Sequence, residues 1–188
     1  MKKLIFTLAL LSGPAFLFAQ GVGVGIKAGA NFSTYSSDNY STSSVTKYHV
    51  GAYVNFNFSE KWGVTPEVLW SSQGTEIKGA GGLTGDFNTN YVTVPIMLRW
   101  KPVDLIFIEA GPQFNFLTDA EIDNQDVKDE MKSSTTCAAF GAGVSLPLGF
   151  NGGLRYVVGL TDLSDNDTVE FKEGTFQVYI GWTIFGAK

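Results

Sequence analysis

The sequence is poor in cysteine, histidine, charge and long apolar runs. Its 188 residues include one cysteine and one histidine, and only 16% are charged. The lone Cys137 cannot form an intramolecular disulfide, so no covalent staple supports the fold. No stretch after the first twenty residues is apolar and long enough to cross a bilayer as a helix, which takes about 20 residues. Any membrane crossing would therefore be made by strands.

Signatures of catalysis are missing as well. His49 is the only histidine, and acid-base work would need an orienting group and a reachable substrate. No basic cluster beside Cys137 would activate its thiol. We therefore predict no catalytic residue, no cofactor, no metal site and no enzyme. One alternative stays open, a rim site in which His49 works with Ser36, Ser37 or Asp38.

Acidic residues outnumber basic ones, 18 against 13. Nucleic-acid binding depends on clustered Lys and Arg, so we expect no nucleic-acid partner. Many of the acids fall between the predicted strands described below. The runs at residues 119–126 and 162–167 could offer oxygen ligands to Ca²⁺, but neither matches the EF-hand pattern. We interpret them as a solvated acidic surface.

The N-terminal residues have the order of a secretory signal. Two lysines precede an apolar run over residues 4–11, a helix-breaking Gly-Pro pair follows, and Ala19 is small. We predict a signal peptide over residues 1–19 and a single exported domain over residues 20–188. Loss of the two lysines would change the net charge from −5 to about −7.

Eight segments alternate between apolar and polar residues with the period of a β-strand. In the clearest one, Val92, Val94, Ile96 and Leu98 share one face. The first five segments have 10 to 13 residues, the length of a tilted membrane strand, whereas soluble strands have about 5 or 6. The eight segments are 22–33, 46–58, 62–73, 91–100, 106–116, 140–146, 154–161 and 176–184.

The connections between these segments alternate in length. Those after the second, fourth and sixth segments are short, and those after the first, third, fifth and seventh are much longer. We also expect a helical turn within residues 121–132. Short periplasmic turns and long extracellular loops are typical of outer-membrane barrels. The predicted fold is all-β, an eight-stranded antiparallel up-and-down transmembrane β-barrel with both termini in the periplasm.

Charged residues inside the predicted strands all lie on the face opposite the apolar row. An ionised side chain on the lipid face near the midplane costs about 2 to 4 kcal/mol, so these residues should point inward. An eight-stranded barrel is filled by its own side chains, which excludes a wide pore. We predict that three cations and two anions pair there, because unpaired buried charge is costly. We call this set the charge network: Lys27, Glu67, Arg99, Glu109 and Arg155.

Aromatic residues and glycines also divide between the faces. Glycines such as Gly51, Gly111 and Gly141 fall on the predicted inner face, where they would leave room for long charged side chains. Six aromatic residues lie near strand ends or on the outer face, as interfacial girdles require. They are Trp62, Trp70, Trp100, Trp182, Tyr48 and Tyr156.

Four stretches of the chain together carry a resemblance to a known family. They are Phe18-Ala19-Gln20, Tyr91-Val92-Thr93-Val94-Pro95-Ile96-Met97-Leu98-Arg99, Glu109-Ala110-Gly111-Pro112-Gln113-Phe114, and Gly153-Leu154-Arg155-Tyr156 with Gly159-Leu160-Thr161-Asp162. With these stretches the chain resembles the PorT-type outer-membrane β-barrel proteins of Bacteroidota. The resemblance covers essentially all of residues 20–188 and implies a barrel inserted by the outer-membrane assembly machinery. The eponymous member of that family is linked to protein secretion. A terminal aromatic residue would be typical, whereas Phe185 is followed here by Gly186-Ala187-Lys188.

Three functions are compatible with this sequence. We predict a non-enzymatic, monomeric outer-membrane protein that contacts lipid and acts as a structural or adhesion-like surface protein through its loops. The resemblance implies an alternative, a component of an envelope or protein-secretion assembly. A further alternative is a soluble lipocalin-like ligand-binding barrel, which would need an apolar interior and a polar exterior.

Overall fold

Eight long strands account for most of the chain that the structure, a computed structural model, describes. The described residues are 21–36, 42–78, 84–122, 125–126, 133–160 and 172–186, so the predicted signal peptide lies outside them. A 3-10 turn, Pro147–Gly149, joins the sixth and seventh strands. The strands are β1 (Val22–Ser36), β2 (Thr42–Asn57), β3 (Trp62–Lys78), β4 (Thr84–Val103), β5 (Ile106–Ile122), β6 (Ser134–Ser145), β7 (Phe150–Gly159) and β8 (Lys172–Gly186).

The strands close into a barrel. Each strand pairs antiparallel with the next strand along the chain, from β1 to β8. The first and last strands also pair, with Ala28 opposite Ile180, so the sheet has no free edge. The predicted fold class, an eight-stranded antiparallel up-and-down barrel, is confirmed, and each predicted segment overlaps one strand.

Exposed and buried residues alternate along the strands. The face that contains the charged residues is buried, as predicted, and the apolar face is exposed. On β4, Ile96 and Leu98 are exposed, whereas the intervening Met97 and the following Arg99 are buried. The exposed rows form an apolar belt around the outside of the barrel, and the buried rows are largely polar. This distribution is the reverse of a lipocalin, so the lipocalin-like alternative is wrong. None of the described residues lies in a helix long and apolar enough to cross a membrane.

Aromatic rings stack on the outer face near one end of the barrel. Trp62 and Trp100 have ring centroids 5.9 Å apart, and Phe150 and Trp182 have centroids 5.7 Å apart. We call this end the short-turn end, because the connections at residues 58–61, 104–105 and 147–149 lie there. The stacked pairs match the predicted position of one interfacial girdle. Tyr48, Trp70 and Tyr156 are exposed on the outer wall, as predicted.

Glycine permits close approach of neighbouring strands at two points in the wall. A Cβ atom on Gly51 would overlap the carbonyl oxygen of Val68, and one on Gly111 would overlap the carbonyl oxygen of Ile96. Each glycine therefore has a packing role, in which the space that a Cβ would fill is taken by the backbone of the neighbouring strand and not by a charged side chain.

The strands extend beyond the predicted segments at the other end, which we call the long-connection end. β3 continues to Lys78 and β4 begins at Thr84, and these two residues are opposite each other in the ladder. The prediction of a long loop over residues 74–90 is therefore wrong for most of that range. Residues 74–78 and 84–90 have no apolar alternation in the sequence, but backbone pairing needs no apolar side chains.

The helical turn predicted within residues 121–132 is also wrong where the structure describes that range. Gln125 and Asp126 form a two-residue strand that pairs with the end of β5, with Glu121 opposite Asp126. Gln125 and Asp126 therefore continue the antiparallel ladder of β5 and do not bond within a helix.

A charge placed on the apolar belt at mid-height should be strongly destabilising. Leu154 is half exposed on the outer wall and precedes Arg155 in β7. We expect Leu154→Arg to lower the free energy of unfolding in lipid vesicles by about 2 to 4 kcal/mol. Chemical denaturation of the refolded barrel measures the change.

The matched control is Leu148→Arg in the 3-10 turn. Leu148 is exposed and lies outside the strands, so the same new charge should cost about 1 kcal/mol or less there. Equal losses at the two positions would contradict a lipid-facing belt.

Candidate functional site

All five residues of the charge network are buried in the barrel. Their side chains come from five strands, β1, β3, β4, β5 and β7, and the most exposed of them, Arg99, is 6% exposed. Each is on the inner face because strand alternation places its apolar neighbours outside. The structure therefore brings together every residue of the predicted set.

Arg155 lies at the centre of the network. Its Nη1 donates to Glu67 Oε2 at 3.0 Å and its Nη2 donates to Glu67 Oε1 at 2.8 Å. Its Nε and Nη2 also donate to Glu109 Oε1, at 2.9 and 2.8 Å. Two-point binding of a guanidinium to a carboxylate is a strong and geometrically specific arrangement. One arginine thus joins both carboxylates.

The two remaining cations extend the network in two directions. Lys27 Nζ donates to Glu67 Oε1. Arg99 Nη2 donates to Glu109 Oε2 at 2.9 Å. The pairing order is therefore Lys27, Glu67, Arg155, Glu109, Arg99, and each carboxylate contacts two cations.

Aromatic side chains that were not predicted to belong to the charge network surround it. Tyr179 Oη donates to Glu109 Oε1 at 2.8 Å, and Lys27 Nζ lies 4.0 Å from the centre of the Tyr179 ring. The Arg99 guanidinium lies 4.1 Å from the centre of the Phe107 ring. Such contacts stabilise desolvated cations. The sequence feature that could have identified Tyr179 and Phe107 as neighbours of the network was their position on the predicted inner face.

The network crosses the lumen. Glu67 is on β3 and Arg155 is on β7, and these strands are not neighbours in the barrel. Their hydrogen bonds therefore run across the interior and not along the wall. An arrangement of this kind occupies the section of the barrel that a solute would have to pass.

A neutral polar cluster lies beyond the network toward the long-connection end. His49 Nδ1 is 2.7 Å from Asn31 Oδ1, and Asn31 Nδ2 donates to Ser71 Oγ at 2.9 Å. Gln177 Nε2 also donates to Asn31 Oδ1, at 3.1 Å. His49 is 1% exposed and therefore packs inside the barrel. Of its proposed rim partners, Ser37 and Asp38 lie outside the described residues.

Cys137 is buried on the inner face of β6. It accepts a hydrogen bond from Asn115 Nδ2 at 3.2 Å and packs with Met97, Ala139 and Val157. These contacts agree with a structural thiol. In the described ranges, no three His, Cys, Asp or Glu side chains are arranged to hold a metal ion. The acidic run at residues 162–167 is outside those ranges.

Comparison with protein families gives one match over most of the chain. A model described as an outer membrane protein beta-barrel domain matches residues 18–165. A search of curated proteins finds no match. The family comparison supports the general resemblance that the sequence suggested.

Solved structures give the same fold at low sequence identity. NspA, Neisserial surface protein A, has a TM-score of 0.54 at 12% identity, and 88% of this chain and 100% of that chain are covered. Ail from Yersinia pestis, in complex with the heparin analogue sucrose octasulfate, has a TM-score of 0.52 at 16% identity, with 87% and 98% covered. OprG from Pseudomonas aeruginosa has a TM-score of 0.51 at 13% identity, with 89% and 98% covered. At these identities the likeness is one of fold.

Removal of one network carboxylate should destabilise the barrel more than loss of an exposed carboxylate. We expect Glu109→Gln to lower the free energy of unfolding by about 3 to 5 kcal/mol, because Arg155 and Arg99 lose an anionic partner while buried. Urea titration in vesicles measures the change. Glu60→Gln, on an exposed residue in the turn between β2 and β3, is the control and should be nearly silent.

A double-mutant cycle tests whether Glu109 and Arg99 interact directly. Glu109→Gln with Arg99→Gln should cost less than the sum of the two single variants, since the double variant removes both an anion and a cation. Additive losses would contradict a direct interaction between these two side chains.

Proposed function

This chain belongs to the outer membrane protein beta-barrel domain family, and from that premise we propose that it acts at the cell surface as a non-enzymatic interaction protein. The apolar belt contacts lipid in the outer membrane. The long-connection end then faces outward, because barrels of this class have short periplasmic turns and long extracellular connections. The interaction that we propose takes place at that outward end.

The charge network is the observation that carries the proposal. The bonds from Arg155 to Glu67 and Glu109 occupy the lumen, and an eight-stranded barrel leaves little space beside such side chains. Passage of solutes through the barrel is therefore a poor explanation for this protein. Its activity is better assigned to the ends of the barrel, where side chains are free to contact other molecules.

The strands provide a rigid support at the outward end. β3 has 17 residues, β4 has 20 and β5 has 17, whereas a tilted strand crosses the hydrocarbon layer in about 9 to 11. The excess residues continue the paired wall of β3, β4 and β5 past the predicted lipid-facing rows. A rigid projecting wall reduces the ordering cost of binding a partner.

The connecting segments at this end are strongly acidic. Residues 37–41, 79–83, 123–133 and 160–171 contain nine acidic and two basic residues. Charge complementarity favours a partner with a basic surface. The same acidic charge would repel a polyanion of the kind bound by Ail. Adhesion to a basic protein surface is therefore the form of interaction that we propose.

The resemblance to PorT-type proteins is a weaker argument for a secretion role. Three of the residues that carry it, Arg99, Glu109 and Arg155, belong to the charge network, so their presence is explained by barrel packing. A component of an envelope or secretion assembly remains the alternative function. Cross-linking on whole cells separates the two, because a secretion component should be recovered with other envelope proteins.

Neutralising the acidic segment before β8 should weaken binding to a basic surface. We expect a barrel with Asp162→Asn, Asp165→Asn, Asp167→Asn and Glu170→Gln to associate more slowly with an immobilised cationic peptide and to show a smaller salt dependence. Surface plasmon resonance on barrels in zwitterionic lipid nanodiscs measures both quantities.

The control neutralises carboxylates at the opposite end. Glu60→Gln with Asp104→Asn changes two exposed residues in the short turns and should leave the binding unchanged. Immobilised heparin provides the second reference surface. Binding that is equal for both variants, or stronger on heparin than on the cationic peptide, would count against the proposed acidic surface.

A further inference from the structure

The charge network carries one more cation than it has anions. Lys27, Arg99 and Arg155 face only Glu67 and Glu109. Burial of net charge away from water is costly, and a counter-ion reduces that cost. We propose that a small oxyanion, a phosphate or carboxylate group of a soluble periplasmic molecule, binds in a cavity beside Arg99 at the short-turn end.

The cavity has a volume of about 40 Å³. A buried water needs about 10 to 15 Å³ measured in this way, so the space accommodates roughly three waters or one group of phosphate size. None of the residues that line it is acidic. They are Asn55, Asn57, Arg99, Lys101, Ser145, Leu146, Gly149, Phe150, Asn151 and Thr183.

Arg99 supplies the principal unsatisfied donor. It uses Nη2 to bind Glu109, whereas its Nε is buried and has no hydrogen-bond partner among the described residues. A buried guanidinium nitrogen without a partner loses its hydration without compensation. An oxyanion in the adjoining cavity would restore both the missing hydrogen bond and the missing negative charge.

Asn151 provides a second unsatisfied polar group in the same cavity. It is 7% exposed, its Nδ2 donates to Tyr53 Oη at 2.8 Å, and its Oδ1 has no partner among the described residues. Rotation of the amide exchanges the oxygen and the nitrogen. Tyr53 Oη can then donate to the oxygen, which leaves the nitrogen as a donor for an anion.

Lys101 adds a second positive charge to the lining of the cavity. It lies two residues after Arg99 on the same inner row of β4 and is partly exposed. Its backbone N–H donates to the carbonyl oxygen of Lys61 at 2.7 Å, which fixes the start of the side chain. Two cations of one row thus line a cavity without carboxylates, a composition that suits an anion.

The position inside the barrel mouth favours a soluble molecule over a lipid. Asn55, Arg99 and Asn151 belong to buried inner rows, so the polar groups of the cavity face the barrel mouth and not the apolar belt. Lipid headgroups contact the outside of the wall. Titrations with inorganic phosphate and with a phospholipid distinguish a soluble molecule from a lipid headgroup.

The test uses the full barrel refolded in dodecyl maltoside, a detergent that contains no phosphate. Isothermal titration with inorganic phosphate should show saturable binding at millimolar concentration. We expect Lys101→Gln to raise the Kd about tenfold, since it removes a charge-assisted contact. Ser145→Leu, which fills the cavity and retains both cations, should abolish binding. Lys61→Gln is the matched control and should leave the Kd unchanged.

Heat modifiability on gels checks that every variant is folded. A second series replaces inorganic phosphate with short-chain phosphatidylglycerol. Binding of the lipid alone, lost in Ser145→Leu, would support the oxyanion cavity but assign it to a lipid headgroup. Absence of saturable binding by either probe, or equal Kd values for Lys101→Gln and Lys61→Gln, would overturn the proposal.

Discussion

Arg155 bonds to Glu67 and Glu109 at once, and the interior of the barrel depends on that contact. The guanidinium joins β7 to β3 and β5 across the lumen, and Lys27 and Arg99 extend the bonding to β1 and β4. Each of these ions would be costly to bury alone. Together they allow the outer face to remain apolar, because each of these five ions has an oppositely charged partner inside the barrel.

Much of this arrangement could be predicted from the sequence, for a physical reason. Lipid imposes strict alternation, so the apolar row of β4 indicated both the strand and the inward direction of Arg99. The partners of each ion could not be predicted, because Glu67 and Arg155 are 88 residues apart and meet only through the stagger of the closed barrel. The strand extensions past Gln73 and before Tyr91 were missed because the sequence there, rich in Gly, Thr, Asn and charged residues, has no apolar alternation.

The resemblance to a family and the charge network are connected. Arg99 ends one of the matching stretches, Glu109 begins another, and Arg155 lies within a third. In the structure Arg99 and Arg155 both donate to Glu109. The stretches that look most like a family signature therefore describe how this barrel is filled. The partner recognition that we propose rests instead on the acidic connecting segments, of which those stretches include only the start of residues 160–171.

The distribution of the five ions among the strands has a consequence for assembly. One ion comes from β1 and another from β7, so the set is complete only after nearly the whole chain has been added to the wall. A partly inserted sheet that lacks β7 would hold two carboxylates and two cations without the arginine that joins them. The two carboxylates are therefore joined to each other only when β7 enters the wall, after six of the eight strands are already present in the order of the chain.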